Sequence, residues 1–413
     1  MLNSQEIELD VPFQMELLPV LTGSVEQSLQ AFGLGRAETL HLTLAVEEMY
    51  SFLAPQTQSG QRMRLTCSYR GYYAEVVCRF HQHSLPMEVF NITSSVAADD
   101  EKSLAEMGLL LAARTVDQLR INAEDNWMNV HFIKEKRYPE SLGALEDTTQ
   151  FQTAFQNREM DSELLKQFAK RVTGKYGSLA PSFFHYPGKV VDMVESGEYG
   201  VILLTDNRRN VGGGIIWRQG SKLAEAFGPV VFCQASRLPE HIVENFMSKL
   251  ARTSQVCIVI KKPTPELPDG YFEALADNQT AVYRQLEEDN GAVAYIHPGL
   301  AEFLSNGYRK LFLPRQIHEV TYEGEALPPC SAFSTQLDPG RKQARLTSLW
   351  VGVDAVQTLQ DHIRALRMEG FDEISFHLDL AEPEQAGLGP ALLETGFVPQ
   401  WILPWGGRGD LLV

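Results

Sequence analysis

Glu47 and Ser51 stand four residues apart in Leu42-Thr-Leu-Ala-Val-Glu-Glu-Met-Tyr-Ser-Phe-Leu53. On a helix that spacing projects both side chains from one face. A carboxylate and a hydroxyl so placed could hold a water or a metal ion for phosphoryl chemistry; a solvated helix edge is the other reading. His81-Gln-His83 is a second candidate, because alternate residues of a strand point the same way. With no Cys, Asp or third His nearby, a polar strand end is the better reading there, and no metal site is expected.

The elements around these residues follow from pattern. Leu44, Met49, Phe52 and Leu53 recur at helical spacing, so the acid-bearing helix is expected to face a core. A strand precedes it at Ile7-Glu-Leu-Asp-Val-Pro, then a helix over about 17–32 that Gly33-Leu-Gly35 breaks. The alternating stretches 62–69 and 72–80 flank a turn at Gly71 and predict a hairpin. A helix over 104–119 and a closing strand over 127–134 complete a sandwich of helices on one sheet face.

This order and its residues resemble the histidine-kinase-like (GHKL) ATPase fold, in particular the anti-sigma-factor serine kinases of bacterial partner switching. The resemblance covers about residues 5–137. It rests on Ala45-Val-Glu-Glu-Met-Tyr-Ser-Phe and on Met107-Gly-Leu-Leu-Leu…Val116-Asp-Gln-Leu…Asn126-Trp-Met-Asn-Val-His-Phe-Ile-Lys. It implies Glu47 as the base that activates a partner's serine, Ser51 at the position of the magnesium-binding Asn, and Gly108 in the phosphate-binding glycine box. The departures are three. Ser51 is a shorter metal ligand than Asn, no Asp occurs in Phe80-His-Gln-His-Ser-Leu-Pro86 where the adenine contact belongs, and Leu110 replaces a glycine of the box. Phosphate loops need glycines so that backbone N–H groups can approach the anion. ATP with magnesium is therefore expected to bind weakly, if it binds.

Residues 139–157 form a polar, pattern-poor linker. Beyond it, a helix capped by Asp161 over 161–176 is followed by a helix over 189–195 and strands over 199–205, 213–218 and 223–232. A helix over 240–250, a strand over 256–261, a helix over 271–275 and a strand over 281–286 close the set. With Tyr176-Gly177…Phe184-His-Tyr-Pro…Gly197…Gly212-Gly-Gly-Ile…Ala224-Glu, the order resembles the GCN5-related N-acetyltransferase (GNAT) fold. That resemblance implies acetyl-CoA as cofactor. Backbone groups near Val230 and Val231 on a splayed strand would meet the pantetheine arm, and Gln234-Ala-Ser-Arg-Leu-Pro would stand at the pyrophosphate loop. Gln234 fits that loop, while Arg237 and Pro239 replace its glycines; Arg237 could supply charge instead of N–H dipoles. By the same resemblance Glu225 is a general base and Tyr271 a general acid, an edge carboxylate and a packed aromatic being the alternative.

The last stretch, 301–413, reads strand 345–351, helix 353–367, strand 371–380, helix 387–395 and strand 397–403. This repeats the element order of 223–286, so a second, partial GNAT-like half is expected. Asp354 reads as a helix N-cap, and Trp401-Ile-Leu-Pro-Trp-Gly-Gly-Arg-Gly-Asp410 as a tail tucked against a sheet.

At 413 residues the chain has room for two to three cores. The expected class is α+β: a GHKL-like domain over 1–138, the linker, a GNAT-like domain over 158–300 and the partial one over 301–413. A net charge of −17 argues against nucleic acid or an anionic membrane as partner. Five scattered cysteines without a CxxC pair fit reduced thiols. Met1-Leu-Asn-Ser-Gln-Glu lacks the basic start of a signal peptide, so the cytoplasm is the expected compartment. No position carries a complete catalytic set. The sequence therefore favours a signalling protein that binds a protein, of the sigma-factor or anti-sigma-antagonist type, or senses a small acyl-CoA-like ligand. An acyl-CoA-dependent N-acyltransferase and a residual serine kinase are the alternatives.

Overall fold

The computed structural model describes residues 5–57, 60–81, 85–95, 101–124, 126–141, 155–157, 161–235, 237–275, 281–321 and 327–413. It is a mixed α+β chain with several sheets. Among the described residues no helix is long and apolar enough to cross a membrane.

The first sheet is antiparallel and five-stranded, in the spatial order Gln5–Pro12, Arg62–Tyr69, Tyr73–His81, Trp127–Glu135, Gln118–Glu124. Strand alternation sends Met63, Leu65 and Cys67, then Ala74, Val76, Cys78 and Phe80, into one core. The helices Leu18–Ala31, Arg36–Leu53 and Glu101–Thr115 cover that face. The expected helix over 104–119 is corrected: it stops at Thr115, and Gln118–Glu124 is the outer strand of the sheet. Short range decides this, since Leu119 and Ile121 alternate with Arg120 and Asn122 at a strand's period.

The second sheet has seven strands, and its two ends correct the sequence reading. Gln156–Asn157, expected in the linker, pairs with Leu204 and Thr205 and forms one edge; residues 142–154 lie outside the described set. At the other end there is no helix over 271–275; Glu273–Ala274 is a short strand against Val282–Tyr283. Between these edges run Tyr199–Thr205, Val211–Gln219 and Leu223–Val231 as antiparallel neighbours. Leu223–Ala226 then pairs in parallel with Cys257–Ile260 after a crossover through the helix Leu238–Leu250. Gly200 lies directly opposite Trp217, whose indole covers the place a Cβ would fill. The helix Ser162–Tyr176 begins as expected, with Asp161 accepting from the Leu164 N–H at 2.9 Å.

The expected boundary at 300 falls inside the helix Pro298–Lys310, which connects the parallel strands Ala292–Ile296 and Arg315–Glu319. The last sheet repeats a piece of the second. Gln343–Trp350 pairs in parallel with Glu373–Asp379 after a crossover through Ala355–Met368, and an antiparallel strand, Leu411–Leu412, follows. The strand expected over 397–403 is only Ile402–Leu403. Asp354 does occupy the N-cap position, but its carboxylate accepts from the Ser331 N–H at 2.6 Å and leaves the helix uncapped by a side chain.

Polar side chains join the regions. Tyr72 and Tyr73 both donate to Glu198 at 2.7 Å, and Lys136 and Tyr138 both reach Asp192 Oδ2. Buried Asn91 accepts from the Phe333 N–H at 2.9 Å and donates to the Ser331 carbonyl at 2.8 Å. Ala332 sits in the core of the first sheet. The glycine-rich tail is held by Arg315, which reaches Asp410 at 2.7 Å and Asp289 at 2.8 Å with all three side chains at most 1% exposed. Trp405 adds an indole N–H to Asp289 at 2.8 Å and a backbone N–H to Asp410 at 2.9 Å.

Candidate functional site

The expected phosphoryl site does not assemble as a phosphate cradle. Gly108 lies in the middle of the helix Glu101–Thr115, not in a loop, so its N–H runs along the helix axis and is not offered to an anion. Its missing side chain makes room for Glu48: a Cβ on Gly108 would sit 2.0 Å from Glu48 Oε2. Burial, followed by the neighbouring Glu47 charge, raises the Glu48 carboxyl above its ordinary range. Glu47 and Ser51 are both half-buried on the helix Arg36–Leu53, one turn apart as the spacing requires. A carboxylate pair against a glycine is close helix packing, and it presents negative charge where a nucleotide's phosphates would come. His81 stacks on Trp127, with ring centroids 3.8 Å apart; His83 lies outside the described residues, as do its two neighbours in the stretch expected to meet adenine.

The expected acyl-CoA slot is filled by the chain itself. Parallel pairing of Leu223–Val231 ends at Ala226, so the strand does diverge from its neighbour. Its freed backbone groups are taken, however. The Val231 N–H donates to the Tyr176 hydroxyl at 2.9 Å, the Val231 carbonyl accepts from Lys175 Nζ at 2.6 Å, and the Pro229 carbonyl accepts from Thr264. Val230 is fully buried. Gln234 and Arg237 are exposed before the helix Leu238–Leu250, whose first turn carries the acidic Glu240. An acid there opposes an anion at the helix N-terminus. These residues do not fit a pantetheine arm and pyrophosphate.

Glu225 and Tyr271 do not meet. Ala224 and Ala226 point into the core under the helix Leu238–Leu250, so Glu225, between them, points to the opposite face. Tyr271 is on the helix side, where its hydroxyl donates to Glu244 at 3.0 Å. The acid–base pair expected from the sequence is thereby corrected to two unrelated residues.

What the structure assembles instead lies on the Glu225 face. Strand register places Tyr199 opposite Arg218, Arg218 opposite Glu225 and Glu225 opposite Val259, with Lys261 just past the end of that neighbouring strand. Across from this row the last sheet presents Gln336, Arg345 and Ser375 in register, and His377 one pair further on. The two rows line a cavity of about 1220 Å³, whose wall also includes Ile92, Arg114 and Gln118 of the first region. Its size is a little above the roughly 300–1,000 Å³ of small-molecule sites.

The electrostatics of the cavity are unusual. Glu225 and Lys261 form an ion pair, their side chains 30% and 27% exposed to the cavity's solvent. Burial alone would raise the Glu225 carboxyl, but the Lys261 ammonium and then the Arg345 and Arg218 charges outweigh it and hold it below its ordinary range. Burial lowers Lys261 and Arg345 below their ordinary values. His377 is driven down to about 2, first by burial and then by the Arg345 and Lys261 charges, so it is neutral at pH 7. A carboxylate held ionised against an ammonium is a weak proton acceptor, which removes the motive for Glu225 as a general base.

No protein-family model matches the chain, and no curated protein matches it. The cavity is therefore read from its own residues. Arg218 and Lys261 were visible in the sequence only as ordinary strand-end charges. The signal that could have found them is the register: polar residues at alternate positions of strands that otherwise read as buried. Arg345 and His377, on strands of the last sheet, had no local signal at all.

Proposed function

We propose that this protein is a bacterial cytoplasmic signalling protein without a catalytic site, an anti-sigma-like ATPase-type region joined to two acetyltransferase-like regions, acting by small-ligand sensing coupled to protein binding. The helix-covered antiparallel sheet of the first region supports its part of this reading. The repeated parallel pair, crossover helix and antiparallel strand support the acetyltransferase-like part. The observation that carries the functional reading is that one cavity has walls from all three regions. A ligand held there contacts all of them at once, so its binding energy bears on how they pack and on the surface they present to a partner.

The test is turnover by the full chain. With Mg-ATP the expected result is no phosphate release and no labelling of added serine-containing partner proteins. With acetyl-CoA and an amine panel it is no release of free thiol. Transfer in either assay, abolished by Glu47→Gln for the first or Glu225→Gln for the second, would overturn the non-catalytic reading and restore the kinase or the N-acyltransferase.

A further inference from the structure

The wall of the cavity between the two sheets carries two more positive than negative side chains. It has Arg218, Lys261 and Arg345 against Glu225 at the centre, and the remaining charged residues of the wall are four of each sign. Glu225 is already paired with Lys261. Among the described residues, neither the Arg218 nor the Arg345 guanidinium makes a hydrogen bond or an ion pair. This in a chain whose net charge is −17. The two guanidiniums share the single Glu225 charge with Lys261, Arg218 with Glu198 also nearby, and the repulsion that Arg218 exerts on Arg345 falls further when another anion comes between them. Each offers a planar fork of donors matched to an oxyanion, whether carboxylate or phosphate. Neutral His377, Ser375 and Gln336 on the same wall add hydrogen-bonding groups without further charge. Phe183, Phe227 and Trp401 give the cavity an apolar portion beyond the charged rows.

We infer that this cavity is the binding site of a small organic oxyanion carrying at least two negative charges, clamped between Arg218 and Arg345. The inference rests on the sensing role proposed above and gives its ligand a chemical class. An oxyanion is chosen over a cation because the unpaired groups are all positive. A small molecule is chosen over a peptide because the two guanidiniums lie between facing sheets.

Calorimetric titration of the full chain at moderate salt tests it, with pyrophosphate as the phosphate-type probe and citrate as the carboxylate-type probe. The expected result is saturable one-site binding of at least one of them, and which one identifies the source chemistry. Arg345→Gln and Arg218→Gln should each weaken that probe about 10- to 150-fold, the range for losing a hydrogen bond to a charged group. Arg345→Lys should recover part of the loss, and Glu225→Gln should tighten binding by removing the opposing charge. Thermal melting of each variant without ligand separates misfolding from lost contacts. No saturable heat with either probe at millimolar concentration overturns the inference, as does wild-type affinity in both arginine variants. Those failures leave the turnover assays untouched, and turnover would leave the oxyanion site standing, so the two readings fail separately.

Discussion

Replacing Arg315 by Met gives a sharp test of what fixes the C-terminal tail. The guanidinium bridges Asp289 at 2.8 Å and Asp410 at 2.7 Å, with its side chain fully buried. Methionine keeps most of the volume but leaves two carboxylates buried side by side without a counter-charge. Breaking a buried pair by removing one partner costs about 3–5 kcal/mol. That is roughly two to three and a half powers of ten in the local opening equilibrium. The Lys262–Glu373 pair, 38% and 61% exposed, is the natural control; Lys262→Met should cost under about 1 kcal/mol. Native-state hydrogen exchange reads the effect directly at Leu380, whose N–H donates to the Asp410 carbonyl, and at Val413, whose N–H donates to Trp401. Acid gives an independent check. Burial alone would raise the Asp289 carboxyl, but the Arg315 hydrogen bond holds it below 3.8. Its contribution is thus present above that pH and lost as pH falls through the lower folded value. Exchange at both amides equal to wild type in Arg315→Met would refute this reasoning.

Three further outcomes are expected. Asn91→Ala should cost about 1–3 kcal/mol for each of the two buried backbone partners it strands, Ser331 and Phe333, as measured by urea unfolding; a midpoint unchanged from wild type would show that the seam does not depend on it. Gly214→Val should destabilise by about 1–3 kcal/mol or prevent folding, because a Cβ there meets the Ile202 carbonyl at 2.5 Å; normal expression and melting would contradict the close approach. Below pH 6.5 the unfolded chain protonates His377 while the folded chain, with that group at about 2, does not. Stability should therefore fall by up to about 1.4 kcal/mol per pH unit from 6.5 downwards, and His377→Gln should flatten that slope.

Local pattern carried much of the architecture. The helix at Leu42–Leu53, the hairpin around Gly71 and the Asp161 cap could be read because each depends on residues within a few positions. Tyr271, Phe272 and Leu275 suit one helical turn as well as the flanks of a two-residue edge strand, and the pairing of Glu273 and Ala274 with Tyr283 and Val282 decides between them. The glycine at 108 was misread for a related reason. A single glycine near an acid suits a phosphate loop or a tight helix crossing, and only the position of Glu48 tells which. The cavity was least legible. Arg218 and Arg345 are 127 positions apart in sequence, and what makes them a site is the facing of two sheets whose contact no periodicity encodes.

Asn91 and Ala332 have a consequence for how the protein is made. The first sheet and its helices are complete by about residue 138, yet one residue of that core and two partners of Asn91 arrive only with the stretch 331–333. At about 5–20 residues per second, synthesis of the intervening 200 or so residues lasts on the order of 10–40 s. Through that interval the nascent first region carries an open seam beside its outer strand, the place later met by the Ser334 hydroxyl at the Leu119 carbonyl. The first sheet therefore takes its last core contacts from a stretch that follows it by about 200 positions.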